Sequence, residues 1–115
     1  MHSIFLISDF QDQSFQIGLL KASLLKPIPN SQFIDVTHAI KLNNTIEASF
    51  VGRTLITELP EQSICLFAVG QTNSWVAYLH QTSLILCPNN GLLSMIFPDL
   101  NHKSIVIFKQ GNLEA

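Results

Sequence analysis

Charged residues are scarce in this chain of 115 residues: 12% are Asp, Glu, Lys or Arg, whereas 47% are hydrophobic. The formal net charge is −2, and the six basic residues are scattered along the sequence without forming a cluster. Proteins that bind nucleic acids or anionic membranes concentrate Lys and Arg on one surface, so the sequence predicts neither partner. The high apolar content is typical of a folded domain and excludes a disordered chain.

Long apolar runs and targeting segments are also missing. No run approaches the roughly 18 apolar residues that a membrane-spanning helix requires. The first residues lack the charged start, apolar middle and small-residue cleavage site of a signal peptide. We therefore expect a cytoplasmic protein.

Cysteine is rare, since only Cys65 and Cys87 are present and both lie inside apolar runs. Their surroundings predict buried free thiols rather than a disulfide. The four histidines do not combine with the cysteines at a zinc-ligand spacing. The sequence predicts no metal site.

Short apolar runs alternate with segments of helical periodicity. Strands are predicted over residues 3–7, 32–36, 63–69, 75–79, 83–87 and 104–108, and helices over 14–25, 44–58 and 92–97. Asn44 is the expected N-cap of the second helix, whose apolar face is predicted to contain Ile46, Phe50, Val51, Leu55 and Ile56. This order predicts a single α/β domain over residues 1–115. Its central sheet is mainly parallel, with flanking helices and an antiparallel hairpin portion.

Three short motifs lie along this pattern. Ser-Asp-Phe at residues 8–10 precedes a helix with Gly18 and Lys21, Asp-Val-Thr-His follows at 35–38, and Pro-Asn-Asn-Gly-Leu-Leu-Ser occupies 88–94. In this order they resemble motifs in the N-terminal domain of the S-adenosylmethionine hydroxide adenosyltransferase and halogenase family. The resemblance covers nearly the whole chain, and the family's C-terminal, adenine-binding domain is expected to be absent.

The resemblance implies an α/β fold, a homotrimer, and S-adenosylmethionine as substrate or ligand. In the family, the ligand lies between the N-terminal domain of one subunit and the C-terminal domain of the next. Water or a halide attacks the 5′ carbon of the ribose and displaces methionine. No other cofactor is implied.

Asp9 is expected at the carboxyl end of the first parallel strand, where open α/β sheets bind their ligands. It matches the family aspartate that accepts hydrogen bonds from the ribose hydroxyls; the alternative is an exposed turn residue or a helix N-cap. Asp35 and His38 match residues that shape the strand–loop transition below the site. We expect Asp35 to bond to nearby backbone and His38 to be satisfied by backbone groups, with a proton relay as the alternative.

The remaining site-shaping positions are Ser14 and the segment Asn89, Asn90 and Gly91. Ser14 aligns with a family aspartate that helps to hold the amino-acid part of the substrate. The Asn-Asn-Gly segment is expected to form a tight turn, because Asn and Gly tolerate positive φ. Trp75 is predicted in the core or an interface, with base stacking as the alternative.

Several family residues have no counterpart. Gly70 stands where the hydrolases have a water-orienting aspartate, no Arg follows Arg53, and the family's catalytic histidine is missing. Gln11 replaces a glycine and is expected to crowd the space for the ribose. The sequence therefore predicts no catalytic residue and a non-catalytic or divergent member, with a nucleoside ligand left open. The alternative is an active S-adenosylmethionine-cleaving enzyme that uses Asp9 and a C-terminal domain supplied by a partner or missing from this chain. We also expect self-association, through the apolar surface that the missing domain would cover.

Overall fold

The computed structural model describes residues 2–70 and 72–109. Strands and helices alternate along the chain as β1 (His2–Ser8), α1 (Ser14–Leu25), β2 (Ser31–Thr37), α2 (Thr45–Ile56), β3 (Ile64–Ala68), β4 (Ser74–His80), β5 (Ser83–Pro88), α3 (Leu92–Ile96) and β6 (Ile105–Lys109). A single 3₁₀ turn, His102–Ser104, precedes β6. Within the described ranges, no helix has the length and apolar character needed to cross a membrane.

The strands form one sheet in the order β2-β1-β3-β5-β4-β6. β1 is parallel to both β2 and β3, and β3 is parallel to β5. β4 is antiparallel to both of its neighbours, β5 and β6. The predicted α/β class, with a mainly parallel sheet and an antiparallel hairpin portion, is confirmed. The carboxyl ends of four neighbouring strands thus meet at one end of the sheet, where the candidate site residues lie.

The two faces of the sheet are covered unequally. The larger core lies between the sheet and the α2–α3 pair, and contains Phe67, Ile7, Val69, Ile85 and Leu92, all 0% exposed. A smaller cluster of Ile4, Leu6 and Leu66 lies on the α1 side. No residue of α1 itself is fully buried. The α1 side of the sheet is therefore the less protected face.

Helix α2 differs from the sequence prediction in the face that it buries. Ile46 and Phe50 are 62% and 63% exposed, and the fully buried residues of the helix are small: Ala48, Ser49 and Gly52. Small residues are needed there because α2 packs closely on α3. A Cβ atom on Gly52 would lie 2.8 Å from Ile96 Cδ1. The prediction that Ile46 and Phe50 point into the core was wrong for this reason.

The N-terminus of α2 was predicted correctly. The Asn44 side chain accepts a hydrogen bond from the backbone N–H of Glu47 at 3.0 Å. This bond satisfies one of the N–H groups that the first turn of a helix leaves unpaired. It fixes where the loop after β2 becomes a helix, and that loop contributes to the site.

Candidate functional site

Asp9 follows β1 directly and is only 6% exposed. Its Oδ2 accepts two backbone hydrogen bonds, from the N–H of Asn43 at 2.8 Å and from the N–H of Gly70 at 3.0 Å. Asn43 lies in the loop between β2 and α2, and Gly70 follows β3. One carboxylate therefore joins three segments at the carboxyl end of the sheet. Its predicted location is confirmed, and the alternative of an exposed turn residue or N-cap was wrong, since Gln13 is the N-cap of α1.

Gly70 lies directly beside the side chain of Asn90. Its φ is 84°, a conformation that residues with a Cβ rarely adopt. A Cβ on Gly70 would lie 2.8 Å from Asn90 Nδ2. That amide group donates to the carbonyl of Val69 at 3.1 Å, while Asn90 Oδ1 accepts from the N–H of Leu92 at 3.3 Å. Asn90 thus connects the end of β3 to the start of α3, and it fills the space that a side chain at position 70 would need.

The segment from Pro88 to Gly91 forms the predicted tight turn. The Asn90 N–H donates to the Pro88 carbonyl at 2.9 Å, and Gly91 has a φ of 88°. Asn89 is exposed, and its Nδ2 lies 3.3 Å from the hydroxyl oxygen of Ser74. Gly91 supplies the positive φ of the turn, since neither Asn is among the residues with positive φ.

A chain of side-chain hydrogen bonds joins β1, β2 and α1. His38 Nδ1 lies 2.5 Å from Ser8 Oγ, and His38 Nε2 lies 2.7 Å from Asp35 Oδ1. The other oxygen of Asp35 accepts from Lys21 Nζ at 2.8 Å. An ionised carboxylate only accepts, so Nε2 carries a proton, and in the neutral ring Nδ1 accepts from the Ser8 hydroxyl. The first two sequence motifs therefore meet in one hydrogen-bonded chain.

These contacts correct two sequence predictions. Asp35 does not make a local backbone bond; Thr37 does, through an Oγ1 that accepts from the Ala39 N–H at 3.1 Å. His38 is satisfied by side chains on both ring nitrogens and not by backbone groups. The cause is the bend after β2, which brings His38 over the end of β1 beside Ser8. Hydrogen bonds from His38 and Lys21 hold the pKa of the Asp35 carboxyl below its usual value.

The hydrogen bonds that run from Lys21 through Asp35 and His38 to Ser8 connect these groups as a proton relay would. The last group of the series, however, is closed off from solvent. Ser8 is 0% exposed, so its hydroxyl has no access to a ligand. Ser8 Oγ also accepts from the backbone N–H of Phe10 at 3.3 Å. The geometry supports a role in holding the loop that carries Asp9.

A cleft of about 530 Å³ opens beside Asp9 at the same end of the sheet. We call it the carboxyl-end cleft; it is lined by Phe10, Gln16, Ala68, Gly70, Thr72, Asn73 and Trp75. None of these described lining residues has an ionisable side chain. Trp75 is half-buried beside the α1-side cluster, and its indole N–H is buried without a hydrogen-bond partner among the described residues. The cleft therefore offers amides, a hydroxyl and aromatic surface.

Sequence reasoning missed Gln16, Thr72 and Asn73 as lining residues. The last two follow β3 in a loop at the carboxyl end of a parallel strand, a placement that signals ligand contact. Ser14, which was expected to shape the site, is the exposed first residue of α1 and does not line the cleft. Gln16, two positions further along α1, lines it instead.

Gln11 adopts a conformation that glycine favours, with a φ of 62°. Its backbone N–H donates to the His38 carbonyl at 2.6 Å, and its Nε2 donates to the Ile40 carbonyl at 2.5 Å. The side chain is thus directed to the loop between β2 and α2 and does not line the cleft. The expectation that it crowds the space for a ribose stays a prediction.

The two cysteines are free and buried, as predicted. Burial raises the pKa of both thiols, and that of Cys87 to about 12. Across residues 2–70 and 72–109, no three His, Cys, Asp or Glu side chains are grouped so that they could hold a metal ion.

Comparisons with known proteins agree with this architecture. The model of the SAM hydroxide adenosyltransferase N-terminal domain family matches residues 4–114. An uncharacterized conserved protein from Thermotoga maritima is similar in structure, with a TM-score of 0.71 and 21% identity over 95% of this chain and 42% of that one. A conserved hypothetical protein from Thermus thermophilus gives a TM-score of 0.72 and 24% identity over 85% of this chain and 42% of that one.

Both structural neighbours show the fold, and the chain spans less than half of the length of either. The family match extends over almost the whole sequence and includes all three motifs. The chain therefore belongs to the SAM hydroxide adenosyltransferase N-terminal domain family.

Proposed function

We propose that this chain is a non-catalytic member of its family, which binds an uncharged nucleoside in the carboxyl-end cleft and does not cleave S-adenosylmethionine. The observation that carries the proposal is the neutral lining of the cleft. Displacement of methionine by water needs polar groups that orient and activate the nucleophile. The described lining residues include no acid and no base that could do so.

The conformation of Gly70 supports the same conclusion. A water-orienting aspartate at this position would require a side chain on a residue with a φ of 84°. It would also collide with the Asn90 amide, which bonds to Val69 and Leu92. A side chain at position 70 would therefore disturb the hydrogen bonds that join the end of β3 to the start of α3. Restoring the aspartate alone would strain the backbone instead of rebuilding an active site.

The Asp9 carboxylate also serves a structural purpose. Two backbone N–H groups donate to a single oxygen of Asp9, and these bonds hold the loops that surround the cleft. A carboxylate in this position pre-organises the binding surface without performing chemistry. The ribose of a bound nucleoside would approach this end of the sheet.

The chemistry of the cleft favours a neutral ligand over S-adenosylmethionine. Gln16, Asn73 and Thr72 can donate or accept hydrogen bonds, and Trp75 offers an aromatic face. S-adenosylmethionine would bring a sulfonium and an ammonium group, and none of the described lining residues carries a negative charge that would neutralise them. Placing a charge where no opposite charge compensates it is costly. We therefore expect adenosine to bind more tightly than S-adenosylmethionine.

Isothermal titration calorimetry with adenosine and with S-adenosylmethionine tests the proposal. We expect adenosine to bind with the lower Kd, and N73A to weaken that binding at least several-fold. The matched control is Q13A, since Gln13 is exposed at the start of α1 and does not line the cleft. Tighter binding of S-adenosylmethionine, or no binding of either compound at millimolar concentration, would contradict the proposal.

A further inference from the structure

Phe10 is linked to the ring of His38 through the buried hydroxyl of Ser8. The backbone N–H of Phe10 donates to Ser8 Oγ at 3.3 Å, and the same oxygen lies 2.5 Å from His38 Nδ1. Phe10 lines the carboxyl-end cleft, whereas Ser8 and His38 do not. The Ser8 hydroxyl thus connects a titratable ring outside the cleft to a residue in the wall of the cleft.

The Ser8 hydroxyl has a single hydrogen, and the protonation state of His38 decides where that hydrogen goes. In the neutral ring, Nε2 donates to Asp35 at 2.7 Å, so Nδ1 accepts the hydrogen of Ser8. The hydroxyl oxygen is then free to accept from the Phe10 N–H. A protonated ring carries hydrogen on both nitrogens, so Nδ1 donates to Ser8 Oγ and the direction of this bond reverses.

Reversal of this bond disturbs the contact that holds Phe10. In the part of the chain that the structure describes, Ser8 Oγ is bonded to His38 Nδ1 and to the Phe10 N–H, and both are donors once the ring is protonated. Ser8 is 0% exposed, and a buried hydroxyl hydrogen without an acceptor is unfavourable, so the hydroxyl has to turn toward another acceptor. The bond from Phe10 is the longer of the two and therefore the one more easily lost.

The charges around the His38 ring come from two elements. Asp35 on β2 bonds to the ring, and Lys21 on α1 bonds to Asp35, while β1 contributes the neutral Ser8 hydroxyl. Gln11, before α1, donates its backbone N–H to the His38 carbonyl. The bonds from His38 and Lys21 hold the pKa of Asp35 below its usual value of 3.8, so this carboxylate stays ionised at pH 5. Between pH 5 and 8, histidine is the residue type that changes its charge.

We propose that His38 is a pH-sensitive positioning residue for the carboxyl-end cleft. The neutral ring orients the Ser8 hydroxyl so that its oxygen holds the Phe10 N–H, and with it one wall of the cleft. Protonation reverses the bond, releases Phe10 and weakens the binding of a nucleoside. The effect on binding rests on the proposed function, whereas the coupling of His38 to Phe10 does not require a ligand.

NMR spectra of the ligand-free chain, recorded between pH 8 and pH 5, test the coupling itself. We expect the amide signal of Phe10 to shift with the same midpoint as the ring signals of His38, because one proton changes both. In S8A the Phe10 signal should no longer follow the ring, since the connecting hydroxyl is gone. A wild-type Phe10 amide that does not follow His38, or one that follows it equally in S8A, would overturn the proposal.

Calorimetry with adenosine at pH 7.5 and pH 5.5 tests the consequence for binding, since adenosine stays uncharged at both values. We expect the Kd of the wild-type chain to rise about fivefold at the lower pH, the effect that loss of one hydrogen bond typically produces. H38N should bind equally at both pH values, because its amide oxygen accepts from Ser8 and cannot be protonated there.

The matched control is H102N, because His102 is exposed in the 3₁₀ turn and does not line the cleft. This variant should keep the wild-type rise in Kd. A rise that persists in H38N, or one that is lost in H102N, would overturn the proposal. No adenosine binding at either pH would overturn the proposed function together with the effect on binding, and the NMR titration would still decide whether His38 is coupled to Phe10.

Discussion

Gln11 shows how a single residue can be held in a conformation that its type disfavours. Its φ of 62° costs about 1 kcal/mol relative to glycine, and the bond from Nε2 to the Ile40 carbonyl offsets this cost. We expect Q11A to destabilise the protein by about 1 kcal/mol, because it keeps the disfavoured φ and loses the bond. Q11G should destabilise it less, since glycine relieves the strain. Urea denaturation of both variants checks the order, and a larger loss for Q11G than for Q11A would contradict it.

Asp35 makes the stability of the fold dependent on pH. Hydrogen bonds from His38 and Lys21 lower its pKa in the folded state from the usual value of 3.8. A depressed folded pKa stabilises the protein above the unfolded pKa, and this stabilisation is lost as the pH falls through the folded value.

We therefore expect D35N to be less stable than wild type at pH 7, and the difference to shrink as the pH falls below about 4. Denaturation curves across this range test the expectation. The control is D99N, at an exposed turn position, which should show no such trend. A difference between wild type and D35N that is independent of pH would contradict the assignment.

The position of Asp9 could be predicted from sequence, but its partners could not. A motif at the end of a parallel strand indicates the end of the sheet at which the residue lies. Its two donors, however, lie 34 and 61 residues further along the chain. Such bonds depend on how two loops approach one another, which local patterns do not encode. The same limit explains why His38 was expected to have backbone partners.

Two glycines in helices, Gly52 and Gly18, provide a matched test of how closely the helices are packed. A Cβ on Gly52 of α2 would lie 2.8 Å from Ile96 Cδ1 and 3.1 Å from Phe67 Cε1, whereas one on Gly18 of α1 would meet nothing within 4 Å. We expect G52A to destabilise the protein by roughly 1–3 kcal/mol through overpacking. G18A should stabilise it by roughly 0.5–1 kcal/mol, because alanine favours helix. Thermal denaturation compares them, and a stabilised G52A would show that α2 and α3 are not packed this closely.

The elements themselves were largely predictable. Helix α1 has the predicted bounds, residues 14–25, and the Asn44 cap is confirmed. The buried face of α2 was not predictable from apolar periodicity, because tight packing against α3 selects small residues over large ones. The order of the strands in the sheet could not be predicted from the sequence pattern. It depends on long-range contacts such as the pairing of β6 with β4.

At the scale of the whole molecule, three ordered motifs were sufficient to predict the family and the fold class. These motifs are informative because they lie at the ends of strands, and the parallel sheet brings those ends together. Asp9, Gly70 and Asn90 come from different parts of the sequence and meet there in adjacent contacts. The resemblance to the family also places Gly70 where the hydrolases have an aspartate. Only the structure shows that a Cβ atom at position 70 would lie 2.8 Å from Asn90 Nδ2.

The most direct test of a binding role without catalysis is the formation of adenosine. The purified chain is incubated with millimolar S-adenosylmethionine, and adenosine and methionine are quantified by mass spectrometry. D9A, checked for folding by circular dichroism, and D99N serve as the paired variants. We predict no adenosine above the buffer blank for any of the three proteins. Adenosine that forms in proportion to the wild-type protein, persists in D99N and disappears in folded D9A would contradict the account.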